Sequence, residues 1–166
     1  MMAVSTATVE QLLASRLPAL PVMLVVGKWI VQVDTLLRFM PERRAIYSGQ
    51  DQDGMPVIIK LFSQASRSRK EFSSEKLVLE QLQKRGIPAP RIMAAEEDDQ
   101  RSVLLLEHLG GRSALAAMKE AGEDGQKVLL HSLVKLTARM HKAGVLQRDI
   151  HLNNYIEHGG GWYVID

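Results

Sequence analysis

The stretch VLQRDIHLNNYI, residues 145–156, sets an arginine, an aspartate, a histidine and two asparagines between apolar flanks. Asp and Asn side chains readily hydrogen-bond their own backbone, so in the plain case such a cluster is a self-capped loop. Its spacing says more. Asp149 and Asn154 stand five positions apart. A helix would turn these two side chains to poorly matched faces, whereas an irregular loop can aim both at one phosphate. The surroundings fit that use: a long helical pattern ends at Gly144 before the stretch, and a short hairpin pattern ending in VID at Asp166 follows it.

The composition bounds what such a loop can serve. At 166 residues, 46% hydrophobic and 24% charged, the chain can bury a core as one domain or two small lobes. Lys and Arg number 21 against 19 Asp and Glu, and they are scattered except around 67–70. Nucleic-acid binding therefore gains no support, while the pI near 9.0 still permits an anionic partner. The absence of cysteine excludes disulfides, thiolate metal sites and cysteine nucleophiles, and fits a reducing compartment. Residues 17–33 are the most apolar, but Pro18, Pro21, Lys28 and Gln32 interrupt them, which leaves no run of the ~20 residues a membrane span requires. The start lacks a positive n-region, so a signal peptide is not indicated. That segment reads as packed core, with a peripheral contact at a membrane interface as the alternative.

Along the chain, Thr8 and Gln11 have the spacing of a capping box and open a short helix that stops near Pro18. Residues 34–39 and 44–49 read as strands joined by a turn over 40–43. A third strand, 55–62, follows the DQDG turn at 51–54. Residues 66–85 read as a helix closed by Gly86, with Pro88 and Pro90 beyond it. Another hairpin is expected from 91–96 and 102–109. After Gly110 and Gly111 the pattern becomes helical: Ser113 caps a helix to Glu120, a long helix covers 126–143, and strands return at 155–157 and 162–165. The expected fold is α+β, an antiparallel-sheet small lobe with one helix over 1–109 and a helical large lobe over 110–166. The glycine pair is the candidate boundary or hinge.

Three further residues complete a chemical pattern. Asp149 and Asn154, with Arg148, match the kinase catalytic loop H-R-D-x-x-x-x-N, in which Asp accepts the substrate hydroxyl proton and Asn holds magnesium. Phosphoryl transfer also needs a cation on the phosphates. The strand VIIKLF embeds Lys60 among apolar residues, with Ile58 and Phe62 on its own face. A lysine so placed either snorkels to water or meets an anion. In the next helix Phe72, Leu79 and Leu82 form an apolar stripe, and Glu75 falls within it. A carboxylate aimed into a core is costly unless paired, so Glu75 and Lys60 explain each other. Glu71, one turn earlier at the edge of the stripe, is the rival partner, and a solvated face is the plain alternative.

Read in order, VIIKLF, the Glu75 helix ending in GIPAP, SVLLLEHLGG, MHKAGVLQRDIHLNN and WYVID resemble the protein-kinase-like fold. They most closely resemble the bacterial lipopolysaccharide core kinases that phosphorylate Kdo or heptose sugars. The resemblance covers about 34–166. It implies ATP and Mg2+ as cofactors, with Lys60 on the α- and β-phosphates, Glu75 orienting Lys60, and Asp149 as catalytic base. It further implies Asn154 and Asp166 as magnesium ligands, Glu107 to Leu109 as the hinge whose backbone meets adenine, and Ile58 against the ring. His151 stands where protein kinases usually carry lysine and sugar kinases often carry histidine, which tilts the acceptor toward a sugar. The implied setting is the cytoplasm, at the inner face of the inner membrane.

The sequence departs from that pattern in three ways. Gln147 replaces the usual catalytic-loop histidine, and no G-x-G-x-x-G precedes Lys60, where MPERR at 40–44 offers basic side chains instead. The pattern also stops at Asp166, so the large lobe is expected to be truncated, with the apolar face of the 126–143 helix covered by a partner or by further chain. Two other functions compete: a nucleotide-binding pseudokinase scaffold, and a kinase for proteins or small molecules. His141, His151 and His158 lack the i, i+4 spacing of a helical zinc site. They read instead as a helix-end residue, a loop residue and a turn residue.

Overall fold

A computed structural model describes residues 4–99, 101–147 and 149–165. The chain is a mixed α+β protein that divides into two compact units. The first comprises residues up to 77 together with 91–108, and the second 78–90 with 109 onward.

The first unit is built on a seven-stranded sheet: β1 (Ser5–Thr6), β2 (Val22–Val26), β3 (Trp29–Met40), β4 (Arg44–Gln50), β5 (Pro56–Phe62), β6 (Ile92–Glu97) and β7 (Ser102–Glu107), in the order β1-β2-β3-β4-β5-β7-β6. All neighbours are antiparallel except β1 and β2. The apolar segment 17–33, expected as undifferentiated core, is in fact a hairpin. Val22, Leu24 and Val26 alternate inward on β2, Val31 and Val33 do so on β3, and Val26 pairs with Trp29 across a two-residue turn. Gly27 supplies the positive φ of that turn. It also allows a close approach: a Cβ there would lie 2.6 Å from Glu96 Oε1 on β6. Since β2 and β6 lie near opposite ends of the strand order, this contact shows that the sheet curls strongly on itself.

Inside the curl Val31, Val33, Tyr47, Val57, Ile59, Leu61, Val103 and Leu105 form one core. The short helix α1 (Val9–Leu13) contributes Val9 and Leu12 to it, starts in a complete capping box at Thr8, and accepts a 2.7 Å hydrogen bond from Tyr47 Oη at the Leu12 carbonyl. A helix, α2 (Ser66–Lys84), connects β5 to β6. This curled sheet, with α2 running between β5 and β6, is consistent with a kinase-like small lobe.

The second unit contains α3 (Ala114–Glu120), α4 (Glu123–Lys142), a 3-10 turn (Leu152–Asn154) and a hairpin of β8 (Tyr155–His158) and β9 (Gly161–Val164). Leu129, Leu133, Leu136 and Met140, at helical spacing on α4, pack with Ile87, Ala114, Ala117, Tyr155 and Val164. Val128, Leu130 and Val134 on the same helix stay exposed. Glu123 and Asp124 occupy its first turn and Arg139, His141 and Lys142 its last, each sign matching the helix dipole. At its end Val145 N donates to Met140 O and Gly144 N to His141 O, the reciprocal pair of bonds that closes a helix on a left-handed glycine. The C-terminus of α2 closes the same way at Gly86. The two ends then exchange arginines: Arg85 donates to the Ala143 carbonyl and Arg139 to the Gly86 carbonyl. This leads the chain out of α4 at a fixed point and into the stretch that holds Asp149. Among the described residues, no helix is long and apolar enough to cross a membrane.

Candidate active site

In the first unit Lys60 lies on β5 between Ile46 of β4 and Leu104 of β7. Strand alternation sends Val57, Ile59 and Leu61 into the core and leaves Ile58, Lys60 and Phe62 on the opposite face. Helix α2 lies against that face. The Phe62 and Phe72 rings meet edge to face, with centroids 5.7 Å apart, and one turn on Lys60 Nζ forms an ion pair with Glu75 Oε1. The two side chains are only 11% and 10% exposed. Removing either would leave the other as an uncompensated charge in a largely dry setting.

Glu71 does not compete for the lysine. It takes Arg43, from the turn between β3 and β4, through both oxygens, and also meets Arg67 Nε at 3.4 Å. The Arg43 guanidinium holds the Glu71 carboxyl below the ordinary glutamate range, and the carboxylate raises Arg43 in return. Helix α2 thus presents two carboxylates a turn apart, one to the sheet lysine and one to a turn arginine. Ile58 is half-buried on the Lys60 face. Glu107 ends β7 half-buried, with its amide donating to Arg91 O at 3.0 Å and its side chain 3.9 Å from Arg91 Nε.

The second unit opens with buried Leu109, whose carbonyl accepts from His158 Nδ1 at 2.7 Å. His158, expected in a turn, is instead the last residue of β8, its ring edge-on to Tyr163. The loop that follows α4 fastens itself. Asp149 O accepts from His151 N at 3.1 Å and from Asn154 Nδ2 at 3.2 Å. His151 O accepts from Asn154 N at 2.8 Å, and Ile165 N returns to Asn154 O at 3.0 Å. His151 Nδ1 caps the 3-10 turn by accepting from Asn153 N at 3.3 Å, which leaves the ring proton on Nε2. Leu152 packs against the second core, while Asp149 and His151 are exposed. Before the loop, Gln147 Oε1 accepts a 2.6 Å bond from the hydroxyl of Tyr155, itself only 1% exposed.

One short loop therefore gathers Asp149, His151 and Asn154. Arg148 and the expected metal ligand Asp166 lie outside the described residues. The Asn154 amide nitrogen is engaged by the loop, which leaves its Oδ1, an oxygen acceptor of the kind magnesium prefers, as the side-chain atom that could serve as a ligand. Among the described residues no three His, Asp or Glu side chains cluster as a metal cage. Two contacts escaped the reading of the sequence. The Arg43–Glu71 pair was signalled only by the basic MPERR turn and the second carboxylate, and the Tyr155–Gln147 bond had no local signal.

A family model, the lipopolysaccharide kinase (Kdo/WaaP) family, matches residues 41–166, from the turn that carries Arg43 through both units. No curated protein sequence matches the chain. With three quarters of its length matched and the lysine–glutamate pair and Asp149 loop inside the match, this chain belongs to the lipopolysaccharide kinase (Kdo/WaaP) family.

Proposed function

We propose that the chain is an ATP- and magnesium-dependent phosphotransferase that phosphorylates a sugar hydroxyl of the lipopolysaccharide inner core, on Kdo or heptose. The observation that carries this reading is the buried ion pair of Lys60 with Glu75, because a paired lysine fixed on a sheet face is a preorganised cation for phosphate oxygens. Lys60 would hold the α- and β-phosphates, with Ile58, Glu107 and Leu109 around the adenine. Asn154 and Asp166 would hold magnesium, which supplies charge neutralisation on the phosphates. Asp149 would accept the proton of the sugar hydroxyl as its oxygen bonds to the γ-phosphorus and ADP departs, so the negative charge released leaves with the nucleotide. His151, donating from Nε2, would orient the acceptor. The work would take place in the cytoplasm at the inner membrane.

The test is transfer of labelled phosphate from ATP to dephosphorylated lipopolysaccharide. Label in the core sugar supports the reading, and label in added protein or small-molecule acceptors instead would replace it. A second reading, a nucleotide-binding pseudokinase, is favoured by Gln147 at the catalytic-loop histidine position, where it is already bonded to Tyr155. Thermal stabilisation by MgATP without transfer to any acceptor would select it.

A further inference from the structure

The chain lacks a glycine cradle before Lys60, and the residues that stand in its place carry an unused cation. Arg44 opens β4 opposite Phe62, and Ile46, two residues on, lies opposite Lys60. Directly opposed residues and residues two apart on a strand share a face. Arg44 is therefore on the Lys60 face of the sheet, as the diagonal neighbour of Lys60, a relation that separates β-carbons by about 7–8 Å and is readily bridged by long side chains. Its neighbour Arg43, in the turn before β4, is tied to Glu71.

The guanidinium of Arg44 has no such tie. Its Nε is buried with no hydrogen-bond partner, and among the described residues Arg44 enters no ion pair with a carboxylate. Glu71 is near enough to feel its charge, but both Glu71 oxygens are engaged by Arg43. A half-buried arginine with a dry, unsatisfied donor is costly unless an anion completes it. The geometry points to Arg44 as a second phosphate-binding cation beside Lys60, taking the terminal phosphates of a nucleoside triphosphate by its forked donors, with the Arg43–Glu71 pair holding the turn so that Arg44 faces them. This rests on the nucleotide-binding reading above and names the group that does the work of the missing glycine loop. A guanidinium suits the task because its planar donors match phosphate oxygens two at a time.

The experiment is calorimetric binding of adenosine, ADP and ATP, with magnesium, to the wild-type chain and to Arg44→Gln. The expected result is a loss of roughly tenfold in ATP affinity, with adenosine affinity changed by less than about twofold, the scale of one charge-assisted contact. Arg44→Lys, which keeps the stem and the charge, serves as the second variant and retains an intermediate preference for ATP over adenosine. Melting without nucleotide shows that each variant is folded. An ATP-to-adenosine preference unchanged in Arg44→Gln and in Arg44→Lys overturns the role of Arg44 and leaves the kinase reading standing. A wild-type chain that binds neither adenosine nor ATP overturns the nucleotide reading itself.

Discussion

The two candidate functional regions are held in opposite ways. In the first unit the charged groups are fixed by packing: Lys60 sits mid-strand between two paired neighbours, Glu75 projects from a helix that also packs Phe72 on the sheet, and both side chains are nearly buried. In the second unit Asp149 and His151 are exposed, and their positions come from a short chain of backbone and amide hydrogen bonds around one 3-10 turn. A group that must grip a highly charged, invariant ligand gains from a rigid, dry site, where electrostatics are strong and need no reorganisation. A group that must meet a bulky acceptor and take its proton has to stay open to solvent. The difference implies that charge changes in the first region act on stability and binding together, while changes in the loop act on turnover alone.

The sharpest way to break that contrast is Asp149→Asn. The substitution keeps the shape of an exposed side chain and leaves the backbone carbonyl that anchors Asn154 untouched. Phosphate transfer should fall by about 10²- to 10⁴-fold, the range of a lost general base, while the melting temperature and ATP affinity stay near wild type. Retained turnover would remove Asp149 from its role. Lys60→Met is the converse test. It preserves the buried stem but strands the Glu75 carboxylate, so unfolding free energy should drop by about 3–5 kcal/mol in denaturant titration, with ATP binding lost. The double variant Lys60→Met, Glu75→Leu should recover most of the stability and none of the binding. If the single variant were as stable as wild type, the pair would not be the dry contact described here.

How much of this was legible in the sequence follows from the same contrast. Glu75 could be aimed at the sheet from the 3,4,3 spacing of Phe72, Glu75, Leu79 and Leu82 alone, because a helix has a fixed period and a buried carboxylate demands a partner. The ends of α2 and α4 were equally readable, since Gly86 and Gly144 have the single conformation that closes a helix there. The hairpin of β2 and β3 was not. Its inward residues Val22, Leu24, Val26, Val31 and Val33 alternate, but outward Val25 and Ile30 are apolar too, so the period-two contrast between the two faces was lost. The Arg43–Glu71 and Tyr155–Gln147 contacts join residues whose proximity depends on tertiary packing, and no local pattern encodes that. Asp166, whose expected role came only from the family resemblance, lies outside the described residues.

A change of pH separates the two regions by a smaller effect. Tyr47, fully buried in the first core with its hydroxyl on the Leu12 carbonyl, is pushed up to about 12 because burial deprives the phenolate of water. The folded value lies above the ordinary 10.0. Its contribution to stability is therefore complete below pH 10 and disappears as pH rises from there through about 12, a loss on the order of 2–3 kcal/mol at full ionisation. Denaturant midpoints measured across that window should fall for the wild type and fall less for Tyr47→Phe. Parallel curves would show that the sheet core tolerates the phenolate and is wetter than its packing implies.

The mildest test probes whether the loop's support reaches the chemistry. Tyr155 is buried at the start of β8, and its hydroxyl donates to Gln147, two residues before Asp149. Tyr155→Phe leaves the packing of the ring intact and deletes one hydrogen bond, so stability should fall by about 0.5–1.5 kcal/mol. If the bond merely joins two parts of the fold, turnover at saturating ATP should not change. If it sets the entry of the chain into the Asp149 loop, kcat should fall severalfold with little change in KM for ATP, since small misplacements of a reacting group reduce rate far more than they reduce binding. Gln147→Glu sharpens the result. A carboxylate can still accept from Tyr155 and should preserve kcat far better than Gln147→Leu, which cannot. Equal losses in the two would mean that Gln147 acts through its bulk, and that the loop is held by its own turn without help from the hairpin.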